Sequence, residues 1–160
     1  MADPVREYRY QVDRDGRIFH DGTEIVDPAV LRFFLRAMRS TEDGRCLVLC
    51  QGERNWFEAP DTPFVVQRLR LITESGRLQA VELIFAGDYR EALDPGTLES
   101  ERDLLFCRCR AGAFRARFGR VAVQQLAPFL VDAGEGSALL LGGAHHPVRS
   151  GAAHADRVGS

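Results

Sequence analysis

The sequence contains no lysine: all 21 lysine-or-arginine positions are arginine. A Schiff base needs a lysine amine and a phosphate-binding P-loop needs its lysine, so neither chemistry is available. The bias itself reads as codon usage in a GC-rich genome. Long apolar runs are missing as well. Stretches such as Ala138–Leu141 fall far short of the ~20 residues of a membrane helix, so no membrane association is expected. Met1–Arg9 carries acids and no apolar core, which predicts no signal peptide and a cytoplasmic protein with reduced cysteines. Net charge is small: 23 acids against 21 arginines leave −2, with no general attraction to nucleic acid or anionic membranes. No serine sits in a nucleophile elbow, and no G-x-G-x-x-G opens a helix after a strand. What remains is 160 residues with 45% apolar and 28% charged content, enough for one domain that buries about two-thirds of its surface.

Periodicity predicts an α+β fold of antiparallel hairpins with two short helices. Tyr8, Tyr10 and Val12 alternate with Arg9, Gln11 and Asp13, the period of a half-buried strand, and Ile18-Phe19 returns after an Asp-Gly turn. Asp27-Pro28 is a helix start, and Leu31, Phe34, Leu35 and Met38 make one apolar stripe over about 28–39. Strands follow at 45–51 and 54–58, then a two-proline loop at 59–63 and a hairpin at 64–85. The polar stretch 87–100 reads as a connecting loop. A further hairpin (104–118), a helix (about 120–131, with Pro128 as a bend) and a last hairpin (137–149) complete the chain. Residues 7–58 and 104–149 thus share the order hairpin, helix, hairpin. The expected layout is a single domain over 6–149 of two similar lobes joined by the hairpin at 64–85, with a flexible tail at 150–160.

Two segments carry a family resemblance. "YRYQVDRDGRIFHDG" and "GERNWFEAPDTPFV" resemble UPF0598, also called domain of unknown function 4505. Tyr8, Tyr10, Asp13 and Gly16 match its first motif, and Glu53, Arg54, Asn55, Asp61 and Pro63 its second. Gln51-Gly52 stands where that family has Gly-Arg. The overall layout is also similar to domain of unknown function 1285, whose members have a fold with repeated motifs. The resemblance covers most of 6–149 and implies a fold but no activity.

Glu53, Arg54, Asn55 and Asp61 form the candidate ligand-binding cluster. An arginine fork beside carboxylates and an amide can hold a planar polar group. The plainer reading is that Arg54 reaches Asp61, Glu58 or another carboxylate across the stiff loop while Asn55 shapes a turn. Cys46, Cys50, Cys107 and Cys109 sit at strand spacings that spread sulfurs by roughly 7–14 Å, so a buried role is expected and no metal. His145 and His146, adjacent on a strand, point to opposite faces, and His20 reads as a solvated turn residue. One of Trp56 and Phe57 must face outward. No catalytic constellation and no cofactor site is found. These features favour a non-catalytic binding or adaptor domain, in signalling for example, with an unknown protein or small-molecule partner. A small-molecule enzyme or ligand sensor using the polar cluster in a cleft is the alternative. Convergence of the four side chains on one concavity separates the two.

Overall fold

A computed structural model describes residues 4–151. In chain order the elements are β1 (Glu7–Val12), β2 (Ile18–His20), β3 (Thr23–Glu24), α1 (Pro28–Ala37), β4 (Arg39–Ser40), β5 (Cys46–Cys50) and β6 (Glu53–Glu58). Next come β7 (Phe64–Val66), β8 (Arg68–Glu74), β9 (Arg77–Ile84), β10 (Arg90–Ala92), β11 (Glu99–Glu101), β12 (Leu104–Cys109) and β13 (Phe114–Phe118). The last are α2 (Arg120–Leu126), β14 (Leu130–Ala133), β15 (Gly136–Leu141), β16 (Ala144–Pro147) and β17 (Arg149–Ser150). Among the described residues the protein is α+β with two short α-helices, neither long and apolar enough to cross a membrane.

Both helices start where expected and stop early. The Asp27 side chain accepts the Ala29 N–H at 2.9 Å, Pro28 fills the first turn, and α1 buries Leu31, Phe34 and Leu35. At Met38 the backbone turns extended, and Arg39 enters β4. In the second helix Pro128 does more than bend: α2 ends at Leu126, Ala127–Phe129 forms a 3-10 turn, and Leu130 begins a strand.

The strands form four sheets, ordered β3-β2-β1-β6-β5-β4, β10-β9-β8, β17-β11-β12-β13-β7 and β14-β15-β16. Hairpins dominate, but three pairs are parallel: β1 with β6, β7 with β13 and β11 with β17. The hairpin expected over 64–85 is divided, because Phe64–Val66 joins the five-stranded sheet and only Arg68 onward pairs with β9. The stretch 87–100 is no mere loop. It holds β10 and part of β11, and it sends Tyr89, Leu93 and Leu98 into the core. Gly87 sits under α1 at φ 69°, where a Cβ would come within 2.6 Å of the Leu31 Cβ.

Residues 7–58 run β1-β2-β3-α1-β4-β5-β6 and residues 104–149 run β12-β13-α2-β14-β15-β16 into β17, so β3 has no counterpart ahead of α2. The closure differs. β6 lies directly beside β1, whereas β17, just past β16, pairs with β11, which stands between it and β12. One hydrophobic cluster runs through both stretches, from Val12, Phe34 and Phe57 through Phe64 and Phe85 to Phe118, Leu126 and Leu139. Beyond Gly151, the tail expected to be flexible lies outside the described residues.

Candidate functional site

Strand β6 decides where the predicted cluster goes. Period 2 sends Glu53, Asn55 and Phe57 to the side covered by α1 and sends Arg54, Trp56 and Glu58 to the other face. Asn55 is 5% exposed, and its Nδ2 donates to the Val48 carbonyl at 3.1 Å, a core role. Glu53 stays half-buried beside Tyr10, whose hydroxyl pKa is raised first by burial and then by its neighbours Tyr8 and Glu53. Tyr10 stacks on Phe57 at 4.9 Å and packs on Phe34 of α1 at 5.2 Å. Arg54 meets Glu7 across the parallel pair at 3.4 Å, both about half exposed.

Of the carboxylates expected for Arg54, it therefore meets another one, Glu7, and not Asp61 across the proline loop. From Arg54 to Glu58 the strand runs about 13 Å at its extended rise, so Asp61 lies beyond the far end. Asp61 instead takes Arg117: Nε donates to Oδ2 at 2.8 Å, with the arginine side chain 8% exposed. Arg117 Nη2 also donates to the Arg14 carbonyl at 2.6 Å, and the Thr62 N–H donates to Asp61 Oδ1 at 2.7 Å. The four candidates therefore scatter: Asn55 in the core, Glu53 half-buried beside Tyr10, Arg54 on the exposed sheet face and Asp61 against the buried Arg117.

What gathers around Asp61 is different. A depression of about 220 Å³ is lined by Arg45, Cys46, Trp56, Glu58, Asp61 and Pro63, among others. The Arg45 guanidinium lies 3.8 Å above the Trp56 ring centroid, a cation–π stack. Burial raises the Cys46 pKa, so this thiol is held in its neutral, unreactive form. Neither Arg45 nor Arg117 stands out in the sequence. The signal for Arg117 is the run Phe114-Arg115-Ala116-Arg117-Phe118, in which an arginine shares a strand with residues bound for the core. Arg115 in the same run stacks on Phe106 at 3.6 Å and pairs with Glu99 and Glu101 at 2.8 and 2.6 Å.

The remaining candidates stay apart. Cys107 and Cys109 face the core from β12, and burial pushes the Cys107 thiol up to about 12 and that of Cys109 up as well. Cys46 and Cys50 are half-buried on β5. Among the described residues, no three His, Cys, Asp or Glu side chains are placed to hold a metal. His20 is less solvated than a turn residue would be: its ring packs on Tyr10 at 4.8 Å, and Nδ1 lies 3.1 Å from the Arg9 carbonyl. His145 and His146 sit on β16, which pairs with β15.

No protein-family model matches this sequence, and no curated protein matches it. Solved structures do. A DUF1285 family protein from Silicibacter pomeroyi DSS-3 superposes with a TM-score of 0.67 at 17% identity, over 99% of this chain and 87% of that one. The chain has the DUF1285 fold. A second DUF1285 family protein, from Shewanella baltica OS155, matches with a TM-score of 0.59 at 10% identity, over 74% of this chain and 90% of that one. At these identities the likeness concerns the fold, and it supports the layout expected for domain of unknown function 1285.

Proposed function

We propose that this chain is a non-catalytic binding domain, an adaptor for a protein partner, working as one domain over residues 6–149 in the cytoplasm. The partner meets the solvent face of the six-stranded sheet beside Trp56. The Arg45–Trp56 stack at 3.8 Å carries this reading, because it presents a fixed aromatic-cationic surface. Leu49, on the same face, is 45% exposed. The buried Arg117 holds Asp61 at the rim, and Pro60 and Pro63 stiffen its loop, so little entropy is lost on docking.

Two observations favour a protein over a small molecule at this face. The depression of about 220 Å³ falls below the ≈ 300–1,000 Å³ of ligand pockets. Arg54, Asn55 and Asp61 are each taken up by a different neighbour, which speaks against the convergent cleft that an enzyme or sensor needs. Kinship with UPF0598 belongs to the same proposal. Of its matching residues, Tyr8, Tyr10, Glu53, Arg54 and Asn55 lie on β1 and β6, which pair side by side, while Asp13, Gly16, Asp61 and Pro63 lie outside these strands.

A photocrosslinking residue at position 49, expressed in the native host, tests the proposal. The expected outcome is a covalent adduct with one protein, lost in Arg45→Glu while the fold is retained. Purified, that protein should bind at least about tenfold more weakly to Arg45→Glu. Adducts that are indifferent to Arg45→Glu would overturn the reading.

A further inference from the structure

The sheet β10-β9-β8 ends on β8, and the direction of its backbone groups can be followed residue by residue. Ser75 and Gly76 have φ of 52° and 77°, the pattern of a two-residue hairpin turn closed by Glu74 and Arg77. The Leu78 carbonyl accepts from the Gly142 N–H and the Val81 carbonyl from the Leu93 N–H, so both point away from β8. Their opposite residues, Thr73 and Leu71, therefore turn their own N–H and C=O groups away from β9.

Leu69 shows the same orientation and is covered. Its N–H donates to Gln125 Oε1 at 2.7 Å, and its C=O accepts from Gln125 Nε2 at 3.0 Å. One carboxamide of α2 fills the place of a neighbouring strand. Leu71 and Thr73 have no such cover: beyond β8's pairing with β9, no bond to their backbone groups is made among the described residues. Of the usual edge protections β8 has charges, at Arg68, Arg70 and Glu74, but neither a proline nor a bulge. The register shift at Ile72/Thr73 puts the extra residue, Gln79, on β9, leaving β8 regular.

We propose that two copies of this chain associate through β8, edge to edge and antiparallel, about a two-fold axis at Ile72. In that register Leu71 pairs with the partner's Thr73, and Thr73 with the partner's Leu71, each pair exchanging both backbone bonds. Ile72, 40% exposed, lies against the partner's Ile72. Arg70 lies opposite the partner's Glu74 on both sides of the axis, and such cross-strand pairs are attractive. Both charges are available. The Arg70 contact to Glu82 is long at 3.9 Å, and Glu74 makes no ion pair among the described residues. The cap on Leu69 selects this register. Moving the axis to Leu71 would require Leu69 to bond the partner's Thr73, and it would set Arg70 against Ile72. The contact is isologous and closed, so it makes a dimer and not a filament. With about five residues a side, it is a small interface whose population depends on concentration. It is independent of the Trp56 face.

Sedimentation velocity over a concentration series tests this with the full chain. The wild type should dimerise. Glu74→Arg, an exposed change, turns both attractive pairs repulsive and should weaken dimerisation about tenfold or more. Arg70→Glu combined with Glu74→Arg should restore it. Ile72→Cys should give a covalent dimer under mild oxidation, with the disulfide between the two substituted positions by peptide mapping. A wild type that stays monomeric at every concentration, or a dimer that Glu74→Arg leaves unchanged, would overturn the proposal.

Discussion

Arg54 and Arg117 each pair with one carboxylate, and their surroundings make the two pairs unequal. Arg54 and Glu7 are both about half exposed at 3.4 Å, so water and salt screen their attraction. Arg117 is 8% exposed at 2.8 Å from Asp61, and its second nitrogen holds the Arg14 carbonyl. Removing the Arg117 guanidinium strands a carboxylate that is 25% exposed, which places the cost toward the lower end of a broken buried pair. Arg117→Ala should therefore lose about 3 kcal/mol, or roughly 6–12 °C in Tm for a chain of this size. Arg54→Ala should lose less than about 1 kcal/mol. Thermal unfolding of the two variants side by side checks the order. Equal losses would mean that burial does not separate the pairs. The sequence singles out Arg54 because it stands among polar neighbours, as sites do. Arg117 stands among phenylalanines, where an arginine reads as one more outward strand residue.

Among the elements, α1 depends on a side chain 75 positions away. Arg110 Nη1 donates to the carbonyls of Leu35 and Met38, at 2.6 and 3.0 Å, where the last turn of the helix leaves acceptors unpaired. Its charge also meets the negative end of the helix dipole. Its own backbone N–H is fixed by Glu91 at 2.9 Å, and Glu91 accepts the Tyr89 hydroxyl. Arg110→Ala should cost about 1–3 kcal/mol, and Arg110→Lys should recover part of it, keeping the charge without the rigid fork. Hydrogen exchange gives the sharper readout: amides of the last α1 turn should exchange faster in Arg110→Ala while those of β5 and β6 stay protected. Uniform acceleration would mean that the arginine acts on the whole fold and not on this helix end. Elements with a clear period were legible in sequence. The apolar stripe of α1 and the alternation in β1, β6 and β12 each continue long enough to show which face is buried. The three-residue strands β10 and β11 show too few repeats for a period of 2 to emerge. The parallel pairings were also out of reach, since alternation tells which face of a strand is buried but not which strand lies beside it.

At the scale of the whole molecule, the question is whether residues 7–58 and 104–149 unfold separately. Each places strands on either side of one helix, and an independent pair of lobes would show two transitions. The packing argues otherwise. A single apolar cluster joins Phe34 and Phe57 of the first stretch to Phe118, Leu126 and Leu139 of the second. The connections are specific as well. The Val66 carbonyl of β7 accepts the Gly119 N–H at 2.8 Å, Arg32 donates to the Gly87 carbonyl at 2.8 Å, and Arg117 reaches back to Arg14. Neither half can open without exposing the other's core, so the two should unfold together in one cooperative step. The chain carries its own reporters. Trp56 is the sole tryptophan and lies in the first stretch, while Cys107 and Cys109, buried at 1% and 2% exposure, lie in the second. Urea unfolding followed by tryptophan fluorescence and by the labelling of these two thiols should give coincident midpoints. Arg117→Ala, which cuts a link between the stretches, should shift both midpoints together. Midpoints that separate, with the thiols still protected after the tryptophan signal has gone, would mean that the two lobes are independent folding units despite their shared core.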